Sequence, residues 1–139
     1  MADDIIDRTV IGAVEYRISD DEGVITARYV SSGSMGQAGV VCRGHAVGDT
    51  SNGFPGEYRI RYFGVDGETV GEFDWHIESV DQAYRLTWRN RAGNVFIPAA
   101  PGDVVFEGFG FPNTDRSIVV AYWMVDKVAA PLFAGVAGS

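Results

Sequence analysis

The sequence has a single cysteine, Cys42, so no disulfide can close within the chain and no thiolate cluster can hold a metal. Lysine is nearly absent too: Lys127 stands alone and every other basic residue is arginine. Eleven basic residues face 19 acidic ones, for a formal charge of −8. Binding to nucleic acid needs clustered Lys and Arg along the phosphates, so no nucleic-acid partner is expected. The two histidines, His45 and His76, form neither an i/i+2 nor an i/i+4 pair. That is a poor metal signature, and neither a metal nor a cofactor is expected. Gly33–Gly36 and Gly48–Gly56 lack the Lys-Ser/Thr and following helix of a phosphate loop. No apolar run approaches the length that spans a bilayer, and residues 1–7 lack the basic and apolar regions of a signal peptide. The expectation is no membrane partner and a cytoplasmic location. A helical period is missing as well.

Alternation and turn residues are abundant. Glu57–Asn90 reads as three antiparallel strands, with Asp66-Gly67 between two alternating runs as the hairpin signal. A two-residue turn there places Val65 opposite Glu68, Phe63 opposite Val70, Arg61 opposite Glu72 and Arg59 opposite Asp74. The other face pairs Ile60 with Phe73 and Tyr58 with Trp75, and Tyr84, Leu86 and Trp88 continue it. Opposite charges meet across one face and aromatic rings across the other. Further strands are expected over Val10–Ile18, Val24–Ser31, Val40–Val47, Asn94–Ile97, Val104–Phe111 and Ser117–Val125. Ser32–Gly39 is either a flexible loop over a barrel mouth or simply a long connection. Eight or nine short strands joined by sequential hairpins predict an all-β, antiparallel up-and-down β-barrel. Gly71, Gly108 and Gly110 mark where a closing sheet bends. The barrel is expected over residues 10–127, between a frayed acidic lead (residues 1–9) and an apolar C-terminal tail (residues 128–139).

Several of these strands resemble a known group of barrels. Tyr58-Arg-Ile-Arg-Tyr62, Leu86-Thr-Trp88, Phe106-Glu-Gly-Phe-Gly110 and Val119-Val-Ala-Tyr-Trp123 resemble the strand repeats of lipocalin-like (calycin) barrels. The run Asp49-Thr-Ser-Asn-Gly53 ahead of Tyr58-Arg-Ile60 is similar to small barrels of the allene oxide cyclase type. That group includes the spirotetronate cyclases, which close polyketide rings by Diels–Alder chemistry. The resemblance spans Val40 to Val125 and carries over no catalytic residue.

Candidate site residues fall in two groups. Tyr58, Tyr62, Phe73, Trp75, Tyr84 and Trp88 cluster on neighbouring strands and either form ordinary core or line a pocket for an apolar, partly oxygenated ligand. In the last hairpin, a four-residue loop over Asn113–Arg116 pairs Glu107 with Tyr122. If both point inward, a desolvated carboxyl beside a phenol suits general acid–base catalysis. Cys42 and His45 lie three residues apart, on opposite faces of a strand, so a nucleophile–base pair is not expected. The pocket reading is a cofactor-independent cyclase or isomerase that folds a flexible, polyketide-like substrate into reactive shape. The alternatives are a non-catalytic small-ligand carrier and an interaction protein with a filled barrel. Ser117–Val125 is apolar on both faces, which predicts a homodimer with this strand, or its neighbours Val95 and Ile97, at the interface.

Overall fold

Alternation sets the strands, and turn chemistry sets where they reverse. The computed structural model describes residues 10–32, 39–93 and 99–125. Within them run eight strands: β1 (Ile11–Ile18), β2 (Val24–Ser31), β3 (Cys42–Gly48), β4 (Gly56–Phe63), β5 (Thr69–Val80), β6 (Ala83–Asn90), β7 (Val104–Thr114) and β8 (Ser117–Met124). Each pairs antiparallel with the next, and β8 returns to β1, so the sheet closes on itself. The result is the up-and-down barrel expected from the sequence, and it is compatible with a lipocalin-like small barrel. The short strand expected over Asn94–Ile97, with Val95 and Ile97, lies outside the described residues. So do the acidic lead and the apolar tail.

The β4–β5 hairpin keeps the expected register for a reason the residues alone do not show. Arg61 faces Glu72, Arg59 faces Asp74, Ile60 faces Phe73 and Tyr58 faces Trp75. The tip is nevertheless longer than the two residues expected. Gly64 donates its N–H to the Glu68 carbonyl at 2.8 Å, and Gly67 donates to the Gly64 carbonyl at 3.0 Å. Gly67 has φ +84°, the left-handed conformation that follows a type I turn in a three-residue hairpin loop. Phe63 therefore pairs with Thr69 rather than Val70, and a bulge between Tyr62 and Phe63 restores the frame one residue later. Two departures of one residue cancel.

The β7–β8 hairpin has no such cancellation. Thr114 pairs with Ser117, and beyond the irregularity at Pro112 the register runs Phe109 to Ala121, Gly108 to Tyr122 and Glu107 to Trp123. The expected pairing of Glu107 with Tyr122 is off by one residue. A one-residue slip sends the two side chains to opposite faces of the sheet, because successive side chains alternate.

The two ends of the barrel differ. Residues 19–23, 49–55, 81–82 and 115–116 turn at one end. There Phe54 is buried, and the Tyr58 hydroxyl has the carbonyls of Asp49, Gly53 and Phe54 within 3.3, 3.0 and 2.9 Å. The Arg116 guanidinium donates to the Ile18 and Ser19 carbonyls at 3.2 and 2.6 Å, tying the β7–β8 turn to the end of β1. At the opposite end β1 begins, β8 finishes, and β2, β4 and β6 end.

Candidate functional site

The inward face of the barrel is a packed set of rings. Tyr16, Tyr29, Tyr58, Tyr62, Phe73, Trp75, Trp88 and Phe106 are all buried. Tyr16 lies 4.6 Å from Trp75 between ring centroids, Tyr58 5.4 Å from Trp75, Tyr62 6.1 Å from Phe73 and Trp75 6.1 Å from Trp88. Tilted and edge-on contacts of this kind add to the area the rings remove from water. The sequence-predicted group is thus brought together, except that Tyr84 lies at its margin, half-buried against Phe54 at 5.9 Å.

Tyr122 joins them from β8, 6.2 Å from Trp88 and 5.7 Å from Phe106. Its ring passes over Gly12, where a Cβ would collide with the phenol and with the Val30 carbonyl. Glycine at that position is what lets the Tyr122 hydroxyl donate to that carbonyl at 2.9 Å. Glu107 does not join them. It is exposed on the outer face, with Trp123 and Thr87 as its cross-strand neighbours. The expected acid–phenol pair is therefore not assembled.

The polar tips of the rings are tied almost entirely to one another or to the backbone. Tyr29 donates to the Phe63 carbonyl at 2.8 Å. Trp88 Nε1 donates to the Tyr62 hydroxyl at 2.6 Å, and that oxygen shares a second hydrogen bond with the Tyr16 hydroxyl at 2.7 Å. Trp75 Nε1 is buried without a hydrogen-bond partner among the described residues. Burial holds the Tyr16, Tyr29 and Tyr62 hydroxyls well above the ordinary phenol range, and pushes those of Tyr58 and Tyr122 up to about 12.

The rings expected to line a pocket mostly fill it. The free space left among Tyr29, Tyr62, Trp88, Phe106 and Tyr122 is about 20 Å³, room for one water-sized atom. An eight-stranded barrel is the size at which side chains alone can occupy the interior, and here they do. Tyr16, Tyr29 and Phe106 are part of this cluster and were not singled out from the sequence. Tyr16 and Tyr29 do alternate correctly with Val14 and Ala27. Only the closed barrel, however, brings them against rings of β5 and β4, Tyr16 against Trp75 and Tyr29 against Tyr62.

The outer wall has two halves. Across β4, β5 and β6 it carries exposed ion pairs: Arg61 with Glu72 at 2.8 Å, Arg91 with Asp74 at 2.7 Å and Arg85 with Glu78 at 3.6 Å. Exposed pairs of this kind stabilise little, about 0–1 kcal/mol each, but they keep the face wet. His76 lies on that half and His45 on the outer face of β3. Among the described residues no three His, Cys, Asp or Glu side chains come close enough to hold a metal.

The other half is mainly apolar, with the Arg28–Glu15 ion pair at 2.7 Å and the exposed Glu107 set among its apolar side chains. Cross-strand pairing lines up Val30, Ala13, Ala121 and Phe109 in one outer row across β2, β1, β8 and β7. A second row runs Arg28, Glu15, Val119 and Phe111, and a third sets Trp123 between Ile11 and Glu107. Phe111 is 60% exposed, Val41 59% and Ile11 53%, with Phe109 and Trp123 exposed as well. The small side chains of Ala13 and Ala121 lie between larger neighbours, leaving a groove of about 530 Å³. Alternation within β8 supplies both the inward Ile118, Val120 and Tyr122 and the outward Val119, Ala121 and Trp123.

Comparison with known protein families, with curated proteins and with solved structures finds no match to this chain. Geometry defines the class: a closed eight-stranded barrel with an aromatic filling, one charged wall and one mainly apolar wall.

Proposed function

We propose that this protein is an interaction module, a filled barrel that uses its apolar wall to bind a second copy of itself. The observation that supports this most is the band of exposed apolar side chains across β7, β8, β1 and β2. A barrel whose core is already filled gains nothing from a second apolar face in water, and contiguous exposed patches mark sites of association. Electrostatics favour the same face. Two copies at −8 each repel, so close approach is cheapest where charged residues are sparse. A standard interface takes about 800 Å² from each partner, roughly a tenth of the 8264 Å² surface here.

Footprinting tests the choice of face. Oxidation by hydroxyl radicals at high and low protein concentration should show protection of Phe109, Phe111 and Trp123 that grows with concentration. Tyr84 and His76, away from the wall, should not respond. Protection confined to the charged half would point to a different interface.

A second reading keeps the interior in use: a small-ligand carrier, or a cofactor-independent cyclase or isomerase akin to the spirotetronate cyclases. It is favoured by one observation, the residual space ringed by polar-tipped Tyr29, Tyr62, Trp88 and Tyr122. With about 20 Å³ at hand, a substrate of polyketide size requires several of those rings to swing aside. That requirement places this reading second.

A further inference from the structure

The filled core leaves one hydroxyl hydrogen without an acceptor among the described residues. Tyr29 and Tyr122 each give their hydroxyl hydrogen to a backbone carbonyl, and Tyr58 has three within reach. Tyr16 and Tyr62 have only each other, at 2.7 Å, and the Trp88 N–H is already directed at the Tyr62 oxygen at 2.6 Å. Two hydroxyl hydrogens therefore share one hydrogen bond. Whichever ring donates, the other hydroxyl hydrogen has no acceptor among the described residues. An unmade hydrogen bond on a buried polar group is costly, and native structures rarely leave one.

Position decides which hydrogen is free. Tyr62 and Trp88 line the residual space of about 20 Å³, and Tyr16 does not. With Tyr16 donating to Tyr62, the Tyr62 oxygen accepts from both Tyr16 and Trp88, and the hydrogen left without an acceptor belongs to a ring that lines that space. The remaining lining, Phe106 with the rings of Tyr29 and Tyr122, is apolar around the spot. The volume suits a single non-hydrogen atom. We infer that this cage is a binding site for one hydrogen-bond-accepting oxygen, that of a single water held by the Tyr62 hydroxyl. This site is separate from the outer wall and stands whether or not the protein associates.

The test follows the Trp88 indole N–H, which reports on the Tyr62 oxygen, in isotope-labelled protein by NMR. A cross-peak from a long-lived water to the Trp88 indole supports the site. Tyr62→Phe should abolish that signal. Tyr16→Phe should preserve it, because Tyr62 keeps its hydroxyl and its bond from Trp88. The inference is overturned if wild-type protein shows no such cross-peak, a result that needs no variant to fold. It is equally overturned if the signal survives Tyr62→Phe.

Discussion

Above a pH of about 10 the protein should unfold in one steep, cooperative step, with phenolate absorbance and loss of near-ultraviolet dichroism rising together. Five of its six tyrosines (Tyr16, Tyr29, Tyr58, Tyr62 and Tyr122) hold their protons above the ordinary phenol value because burial penalises the phenolate. Below about pH 10, the unperturbed value, folded and unfolded chains are both protonated and the shifts have no effect on stability. Above it the unfolded chain loses protons that the folded chain retains, so stability falls as pH rises. The slope is about 1.4 kcal/mol per phenol for each pH unit until the folded value is reached. By about pH 11 five phenols together have removed about 7 kcal/mol, comparable with the whole stability of an ordinary domain. A gradual titration of separate phenols with the fold intact would show that solvent reaches the interior, contrary to a filled barrel.

The second large effect belongs to the outer wall. Replacing both Phe109 and Phe111 by Asp should weaken self-association about a thousandfold. Aromatic side chains at the centre of an interface cost about 2 kcal/mol or more each when lost, and two together give that factor. The charges also add to the repulsion between acidic copies. Stability should change little, since both side chains are already exposed, at 60% for Phe111 and 41% for Phe109. Removing the Arg85 guanidinium's contact with the Phe109 ring, at 5.5 Å from its centroid, is a small loss at a surface site. Val47→Asp is the control, because Val47 is also exposed but lies on β3, whose next neighbour is the charged β4. An equal weakening by Val47→Asp would mean that added charge, not the apolar wall, governs association.

The strand count, the barrel and most of the β4–β5–β6 register were legible because independent signals coincide there. Arg61 opposite Glu72 and Tyr58 opposite Trp75 demand the same frame, and that frame survives a longer turn because a bulge follows it. The β7–β8 hairpin carried no such redundancy. Both faces of β8 are apolar, so hydrophobic pattern could not choose between registers, and the choice rested on an assumed loop length. The consequence was large: a slip of one residue separated Glu107 from Tyr122 and removed the proposed acid–phenol pair. Burial direction was equally hidden. Phe106, Gly108 and Gly110 face inward while the larger Phe109 and Phe111 face out, an arrangement that a preference for bulky residues inside would reverse. The core fits this way because the Trp88 ring lies against Gly108 and the Val120 side chain against Gly110, leaving glycine-sized space beside β7. Whether the barrel was hollow or filled depended on these long-range contacts, which composition and spacing do not encode.

Self-association through a filled barrel is tested most directly by the mass of the protein in solution. Sedimentation velocity across micromolar concentrations should give a species of about twice 15.0 kDa that dissociates on dilution. A single species of 15.0 kDa throughout that range would contradict the account, and would leave the tail from Val128 as the segment to examine for covering the apolar wall.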